Sequence, residues 1–127
     1  FDDALYASIR IIDILTNTDL TLSQLIESVP KVFNTPEIRI DCDDKEKFSI
    51  IQKVSENLIK SRKEIINIDG VRVKNNDGWW LLRASNTQPV LVLRCEALSE
   101  KGLKFQISSV KDELGKINKL LSNKIIA

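Results

Sequence analysis

An Asp69-Gly70 pair stands between two apolar runs, Ile65, Ile66 and Ile68 before it and Val71 and Val73 after it. Asp-Gly between alternating apolar residues is the strongest short hairpin signal, because a type I′ turn needs positive φ at its centre. The pair therefore commits the middle of the chain to antiparallel β structure. The neighbouring sequence extends the pattern: Asn75, Asn76, Asp77 and Gly78 form a second turn, and Trp79–Leu82 and Val90–Ala97 read as two further strands separated by a short polar loop. Upstream, Ile38 and Ile40 alternate with Arg39 and Asp41 as a half-buried strand. A helix is predicted from Asp44 to about Ile59, with Phe48, Ile51, Val54, Leu58 and Ile59 on one face. Ser99 caps a final helix whose apolar positions are Leu103, Ile107, Val110, Leu114, Ile117 and Leu121. Strand, helix, three or four antiparallel strands and helix make an α+β layer, a small mostly antiparallel sheet with two helices packed on one face.

The first 30 residues have a different organisation. Leu5, Ile9, Ile12 and Leu15 recur at helical spacing behind Asp2 and Asp3, which are capping acids. Thr21 and Gln24 have capping-box spacing ahead of Leu25 and Ile26, so a short second helix ends before Pro30. These helices have no strands of their own to cover, and suit the end of an α/β domain whose sheet lies elsewhere. The chain opens on Phe1 and enters a helical pattern at once, which is expected of a cut from a longer protein. Residues 30–36, with Pro30, Asn34 and Pro36, read as a connector.

Composition narrows the chemistry. Lys plus Arg number 19 against 18 Asp plus Glu, a net charge of +1, so there is no broad basic field for nucleic acid or an anionic membrane surface, and any anion site must be local. There is no histidine, which removes the commonest general base and metal ligand. Cys42 and Cys95 are too few and too scattered for a metal cluster and read as small buried or half-buried side chains, a disulfide being the weaker alternative. No apolar stretch approaches the ~20 residues of a membrane span, and the N-terminus has no signal-peptide layout. A cytoplasmic location is the expectation.

One loop concentrates hydrogen-bond donors. Arg83-Ala84-Ser85-Asn86-Thr87-Gln88-Pro89 interrupts two strongly apolar strands where a tight turn would suffice. It carries a guanidinium, two hydroxyls and a carboxamide within five positions, and no acid. Arg83 can grip two phosphate oxygens with its planar fork; Ser85, Asn86 and Thr87 can donate from side chains, and the turning backbone can add N–H groups as a nest. The plainer alternative is that Ser, Asn, Thr and Pro are ordinary turn residues and Arg83 a strand-end surface charge.

Three stretches decide between these. Asp69-Gly70-Val71-Arg72-Val73, then Gly78-Trp79-Trp80-Leu81-Leu82-Arg83-Ala84-Ser85-Asn86-Thr87-Gln88-Pro89, then Val90-Leu91-Val92-Leu93-Arg94-Cys95-Glu96-Ala97, closely resemble the C-terminal domain of the phosphomannomutase/phosphoglucomutase superfamily. Phe1-Asp2-Asp3-Ala4-Leu5-Tyr6-Ala7-Ser8 resembles the helix after the sugar-recognition loop of that family's third domain, and Asn34-Thr35-Pro36-Glu37-Ile38 the crossing into the fourth. The resemblance implies two parts. Residues 1–33 would be the helical end of the third domain with a linker, and residues 34–127 the C-terminal phosphate-binding domain. It implies that Arg83, Ser85, Asn86 and Thr87 bind the substrate's phosphate. Gln88 departs from the family's commoner Glu, a change that should not hurt anion binding. Arg94 either faces the site or closes a strand.

In such a family a four-domain phosphohexomutase interconverts hexose 1-phosphate and 6-phosphate. A phosphoserine in the first domain donates its phosphoryl group, and a magnesium ion sits on an aspartate-rich loop; both would lie outside this chain. The fourth domain would clamp the non-reacting phosphate and close the cleft. No phosphoserine motif, magnesium loop or sugar-specificity loop is found here, so no catalytic residue and no metal ligand is expected, and the chain alone should be inert. Its partners would be a hexose phosphate and the remaining domains, with no nucleic acid and no membrane. The alternatives are a stand-alone phosphate- or nucleic-acid-binding module, and a structural domain whose loop is vestigial. Elsewhere, Trp79 and Trp80 must face opposite sides of their strand, one in the core and the other covering a sheet face or sheltering a ligand. Arg72 and Lys74 read as a solvated face, and the lysines from Lys111 to Lys124 as helix-solubilising charges.

Overall fold

A computed structural model describes residues 2–125, which divide into two compact units between Lys31 and Val32. In the first unit, α1 (Ala4–Thr16) starts where the Asp3 carboxylate accepts from the Tyr6 N–H at 2.8 Å. Its partner α2 (Leu22–Glu27) starts on the expected capping box: the Thr21 hydroxyl accepts from the Gln24 N–H, and the Gln24 carboxamide oxygen accepts from the Thr21 N–H. Each cap satisfies a donor that the first helical turn leaves without a carbonyl. Neither helix buries a residue. Ile11, Ile14, Leu15, Leu22, Leu25, Ile26 and Val29 instead line an open apolar groove of about 280 Å³.

The second unit is the α+β layer. Its strands are β1 (Phe33–Asn34), β2 (Ile38–Asp41), β3 (Ile65–Ile66), β4 (Val71–Asn75), β5 (Gly78–Ala84) and β6 (Val90–Ala97). The sheet order is β1-β6-β5-β4-β3, every pairing antiparallel, and β2 also pairs with β6. Thus β1 and β2 lie along the same edge of β6, Phe33 opposite Ala97 and Ile38 opposite Leu93. The break between them is Thr35-Pro36-Glu37, where Pro36 has no N–H for a ladder. Thr35 bridges the break: its N–H donates to the Cys95 carbonyl and its hydroxyl oxygen accepts from the Cys95 N–H. The predicted connector therefore supplies an extra edge strand.

One face of the sheet carries Ile40, Val71, Val73, Trp80, Leu82, Leu91, Leu93 and Cys95 into the core. Against it pack α3 (Lys47–Lys60), through Ile50, Ile51, Val54 and Leu58, and α4 (Glu100–Gly115), through Val110 and Leu114. Burying side chains of this size removes most of their apolar surface from water, worth about 1.5–3 kcal/mol each before entropy is counted. Trp80 is wholly buried, its indole N–H donating to the Ser109 hydroxyl at 3.3 Å.

Four details depart from the sequence expectation. Helix α3 begins at Lys47, later than Asp44, because Asp43 holds a turn first: its carboxylate accepts from the Lys45 N–H and its carbonyl from those of Glu46 and Lys47. The buried face of α3 is rotated, so that Lys47 and Ile50 are inside while Phe48 and Ile59 are more than half exposed, at 56% and 58%. The final helix breaks after Gly115, and Asn118 caps a separate α5 (Lys119–Asn123) by accepting from the N–H groups of Leu120 and Leu121. The first hairpin is not a two-residue type I′ turn. Ile66 pairs with Arg72, Gly70 alone adopts positive φ (+94°), and Ile68 stands in the turn at 92% exposure.

Candidate functional site

The site is built at the end of the sheet where β5 stops and β6 begins. Residues of β5 alternate: Trp80, Leu82 and Ala84 face the helices, while Trp79, Leu81 and Arg83 face away from them. Directly paired residues share a face, and the register sets Arg39 opposite Val92 and Val92 opposite Arg83. One step along, Arg72 lies opposite Leu81 and Leu81 opposite Arg94. The face opposite α3 and α4 thus carries two rows, each an arginine, an aliphatic residue and an arginine. Arginine tolerates such a row because its stem lies on the aliphatic neighbours while the guanidinium reaches water.

Each guanidinium is held differently. Arg72 lies over the Trp79 ring, 4.5 Å from its centroid, with its Nε buried and without a hydrogen-bond partner among the described residues. The Trp79 indole N–H donates to the Glu96 carboxylate at 3.2 Å. So Trp79 is the sheet-covering tryptophan and its outer face is already used by a cation. Arg39 pairs with Glu37 at 2.9 Å and donates to the Gln88 side-chain oxygen. Among the described residues Arg83 makes only a loose contact with Asp69, at 3.9 Å, and Arg94 is exposed. Among the described residues the two arginines left open to a ligand lie diagonally on adjacent strands, Arg83 next to the loop and Arg94 further along β6.

The loop itself is residues 85–89. Ser85 is 7% exposed and shapes it from inside: its hydroxyl oxygen accepts from the Gln88 N–H at 3.2 Å and the Thr87 N–H at 3.4 Å. The backbone donors expected to form an outward nest are, at these two positions, turned onto Ser85. Both contacts are at the long end of N–H···O geometry. The Ser85 hydroxyl proton remains available to donate. Asn86 and Thr87 are exposed, and the Ser85 N–H closes the loop on the Val90 carbonyl at 3.0 Å. Of the four predicted residues, the structure places Arg83 at the rim on the face opposite α3 and α4, Asn86 and Thr87 outward, and Ser85 inward.

Sequence reading missed the supports beneath. Lys47, from the first turn of α3, is 3% exposed and donates to the Gln88 carbonyl at 3.1 Å while pairing with Asp44 at 2.6 Å. The Cys42 N–H donates to the Pro89 carbonyl at 3.0 Å. The one sequence signal for Lys47 was its place in the first turn of a helix whose buried face, Ser55 apart, is otherwise apolar. Both cysteines are free. Burial pushes the Cys95 thiol up to about 12 and also raises that of Cys42. Among the described residues no three His, Cys, Asp or Glu side chains gather as a metal site, and no helix is long and apolar enough to cross a membrane.

Comparison with known proteins identifies the family. The family described as phosphoglucomutase/phosphomannomutase, C-terminal domain, matches residues 37–112, a stretch that contains the loop. The chain is 45% identical over 103 residues to a phosphomannomutase/phosphoglucomutase of Pseudomonas putida, covering 81% of this chain and 22% of that protein. It is 40% identical over 99 residues to a phosphoglucomutase of Neisseria gonorrhoeae, covering 76% and 21%. A solved phosphoglucomutase/phosphomannomutase family protein of Burkholderia thailandensis superimposes with a TM-score of 0.74 at 33% identity, over 91% of this chain and 24% of that one. The chain therefore spans less than a quarter of the length of these relatives. By its matched sequence and its fold, it belongs to the phosphoglucomutase/phosphomannomutase family and carries that family's C-terminal domain.

Proposed function

We propose that this chain is the C-terminal part of a phosphohexomutase interconverting hexose 1-phosphate and 6-phosphate, and that its loop grips the phosphate that is not reacting. The observation that carries the reading is the loop's chemistry: a loosely paired guanidinium at Arg83, a hydroxyl at Ser85 and two exposed donors at Asn86 and Thr87, with no carboxylate in the loop itself. A phosphate dianion offers only acceptors, so donors without a competing acid are what it selects. Arg83 would supply a two-toothed charged contact, and Ser85, Asn86 and Thr87 the remaining hydrogen bonds. Arg94, exposed on the same face, would extend the positive field.

In this scheme the domain does no bond-making. It binds the remote end of the sugar phosphate, and that binding energy positions the reacting end for in-line transfer and favours closure of the cleft over it. The phosphoryl donor would be a phosphoserine elsewhere in the enzyme. Magnesium, which the family reading implies, would supply charge neutralisation there; the donor set of this loop, N–H and O–H groups with no carboxylate, does not fit it. Residues before Val32 would be the end of the preceding sugar-recognition domain.

An amide NMR titration with glucose 1-phosphate, mannose 1-phosphate and glucose tests the reading. Shifts confined to Arg83 through Gln88 with both phosphates, and absent with glucose, are the expected result. No response at millimolar phosphate ester in either this chain or the longer enzyme overturns it.

A further inference from the structure

An anion seat needs its donors turned outward and its acceptors turned away, because a carbonyl oxygen facing a phosphate repels it. In the loop after β5 two consecutive carbonyls are held inward by groups from the β2–α3 segment: that of Pro89 by the Cys42 N–H at 3.0 Å, and that of Gln88 by the Lys47 ammonium at 3.1 Å. The first is a backbone contact that any residue would make. The second is a side-chain contact, added to the bond that the Gln88 carbonyl accepts from the Val90 N–H at 2.9 Å. Lys47 is 3% exposed, and a buried ammonium is expensive unless its donors are used. Here one donor goes to Gln88, one to Asp44 at 2.6 Å, and the charge also lies 5.1 Å from the Phe48 ring centroid. An apolar residue would fill the position beside Ile50 and Ile51 at less cost to folding. A lysine there makes sense as a tie to the loop.

We propose that Lys47 is a positioning residue for phosphate recognition: its buried ammonium keeps the Gln88 carbonyl turned inward and places a fixed positive charge beneath the seat. The proposal rests on the phosphate-gripping reading of Arg83, Ser85, Asn86 and Thr87. Asp44, 66% exposed at its side chain, pairs with that ammonium at 2.6 Å and offsets part of its charge.

The test compares the chain with Lys47→Met, Lys47→Arg and Asp44→Asn, each titrated with inorganic phosphate and followed by the amide signals of residues 83–90. Methionine matches lysine in length and suits a buried site, and the Gln88 carbonyl keeps its bond from the Val90 N–H at 2.9 Å, so the variant is expected to fold. Lys47→Met should weaken phosphate binding about ten-fold, the weight of one charge-assisted hydrogen bond, and flatten its salt dependence. Lys47→Arg should recover most of the affinity, and Asp44→Asn, which removes the counter-charge, should strengthen it. If both Lys47 variants unfold, the wild-type ammonium decides, since a hydrogen-bonded buried ammonium gives an observable ¹⁵N signal: movement on adding phosphate supports the role and a fixed signal overturns it. Full phosphate affinity in a folded Lys47→Met overturns this proposal and leaves the loop reading standing. No phosphate response in the wild-type loop overturns both.

Discussion

At the scale of single residues, the loop and its rim make sharp predictions because each contact is specified. Among the described residues Arg83 is paired only at 3.9 Å, with Asp69, so removing it costs the fold little and the ligand much. Arg83→Ala should weaken hexose-phosphate binding by about 1.5–3 kcal/mol, some ten- to hundred-fold by titration, with an unchanged melting temperature. Gln88→Glu should act in the opposite place. Its carboxylate would form an ion pair with Arg39, now a hydrogen-bond donor to Gln88, and would add a negative charge beside the seat. Phosphate affinity is expected to fall several-fold, on the order of 1 kcal/mol, most clearly at low salt. Gly70 is a structural counterpart. With φ at +94°, a Cβ there would lie 2.5 Å from the Leu82 carbonyl oxygen, beside Arg83. Gly70→Ala should lower stability by about 3 kcal/mol in chemical denaturation, by strain and displaced strand together.

At the scale of elements, β6 is the spine: it pairs with β1, β2 and β5 and delivers Leu91, Leu93 and Cys95 to the core. The Cys95 thiol, raised from 9.0 to about 12 by desolvation, links this strand to pH. An unfolded chain would lose that proton near pH 9, whereas the folded one holds it to about 12. The folded state therefore binds more protons in this window. Its contribution is whole below pH 9 and is lost as pH rises through the folded value, by up to ~1.4 kcal/mol per pH unit. Denaturation midpoints at pH 8 and 10.5 should fall further in the wild type than in Cys95→Val, which lacks the titrating group. Element boundaries follow local chemistry too. Asp43 delays α3 with a turn and Asn118 restarts the chain as α5, and neither effect is visible in apolar spacing.

At the scale of the whole molecule, the core cluster is drawn from residues between Ile38 and Ile125, and α1 and α2 contribute nothing buried of their own. A chain starting at Val32 should therefore melt within a few degrees of the full chain by circular dichroism. In the full chain, the amides of α1 and α2 should exchange with little protection, because two short helices with exposed apolar faces are marginal in water. The purified chain should show no mutase turnover; measurable turnover would remove the assignment of the phosphoryl-transfer machinery to other domains.

The sequence by itself determined the α+β class, both N-terminal caps and the strands β4 to β6. These rest on local rules: alternation, turn glycines and side-chain oxygens placed before helices. It also placed the donors of the loop in one short segment. Tertiary structure alone decided which face of α3 is buried, that the connector closes the sheet edge as β1, and that Ser85 turns inward while Asn86 and Thr87 turn outward. It alone brought Lys47 beneath a loop 41 residues away and ranked the arginines of one sheet face, Arg39 and Arg72 engaged, Arg83 and Arg94 open. The physical reason is that pattern reports on neighbours within a few residues. Strand register and the packing of helix on sheet join distant segments, and only they decide which charges meet and which remain free to bind.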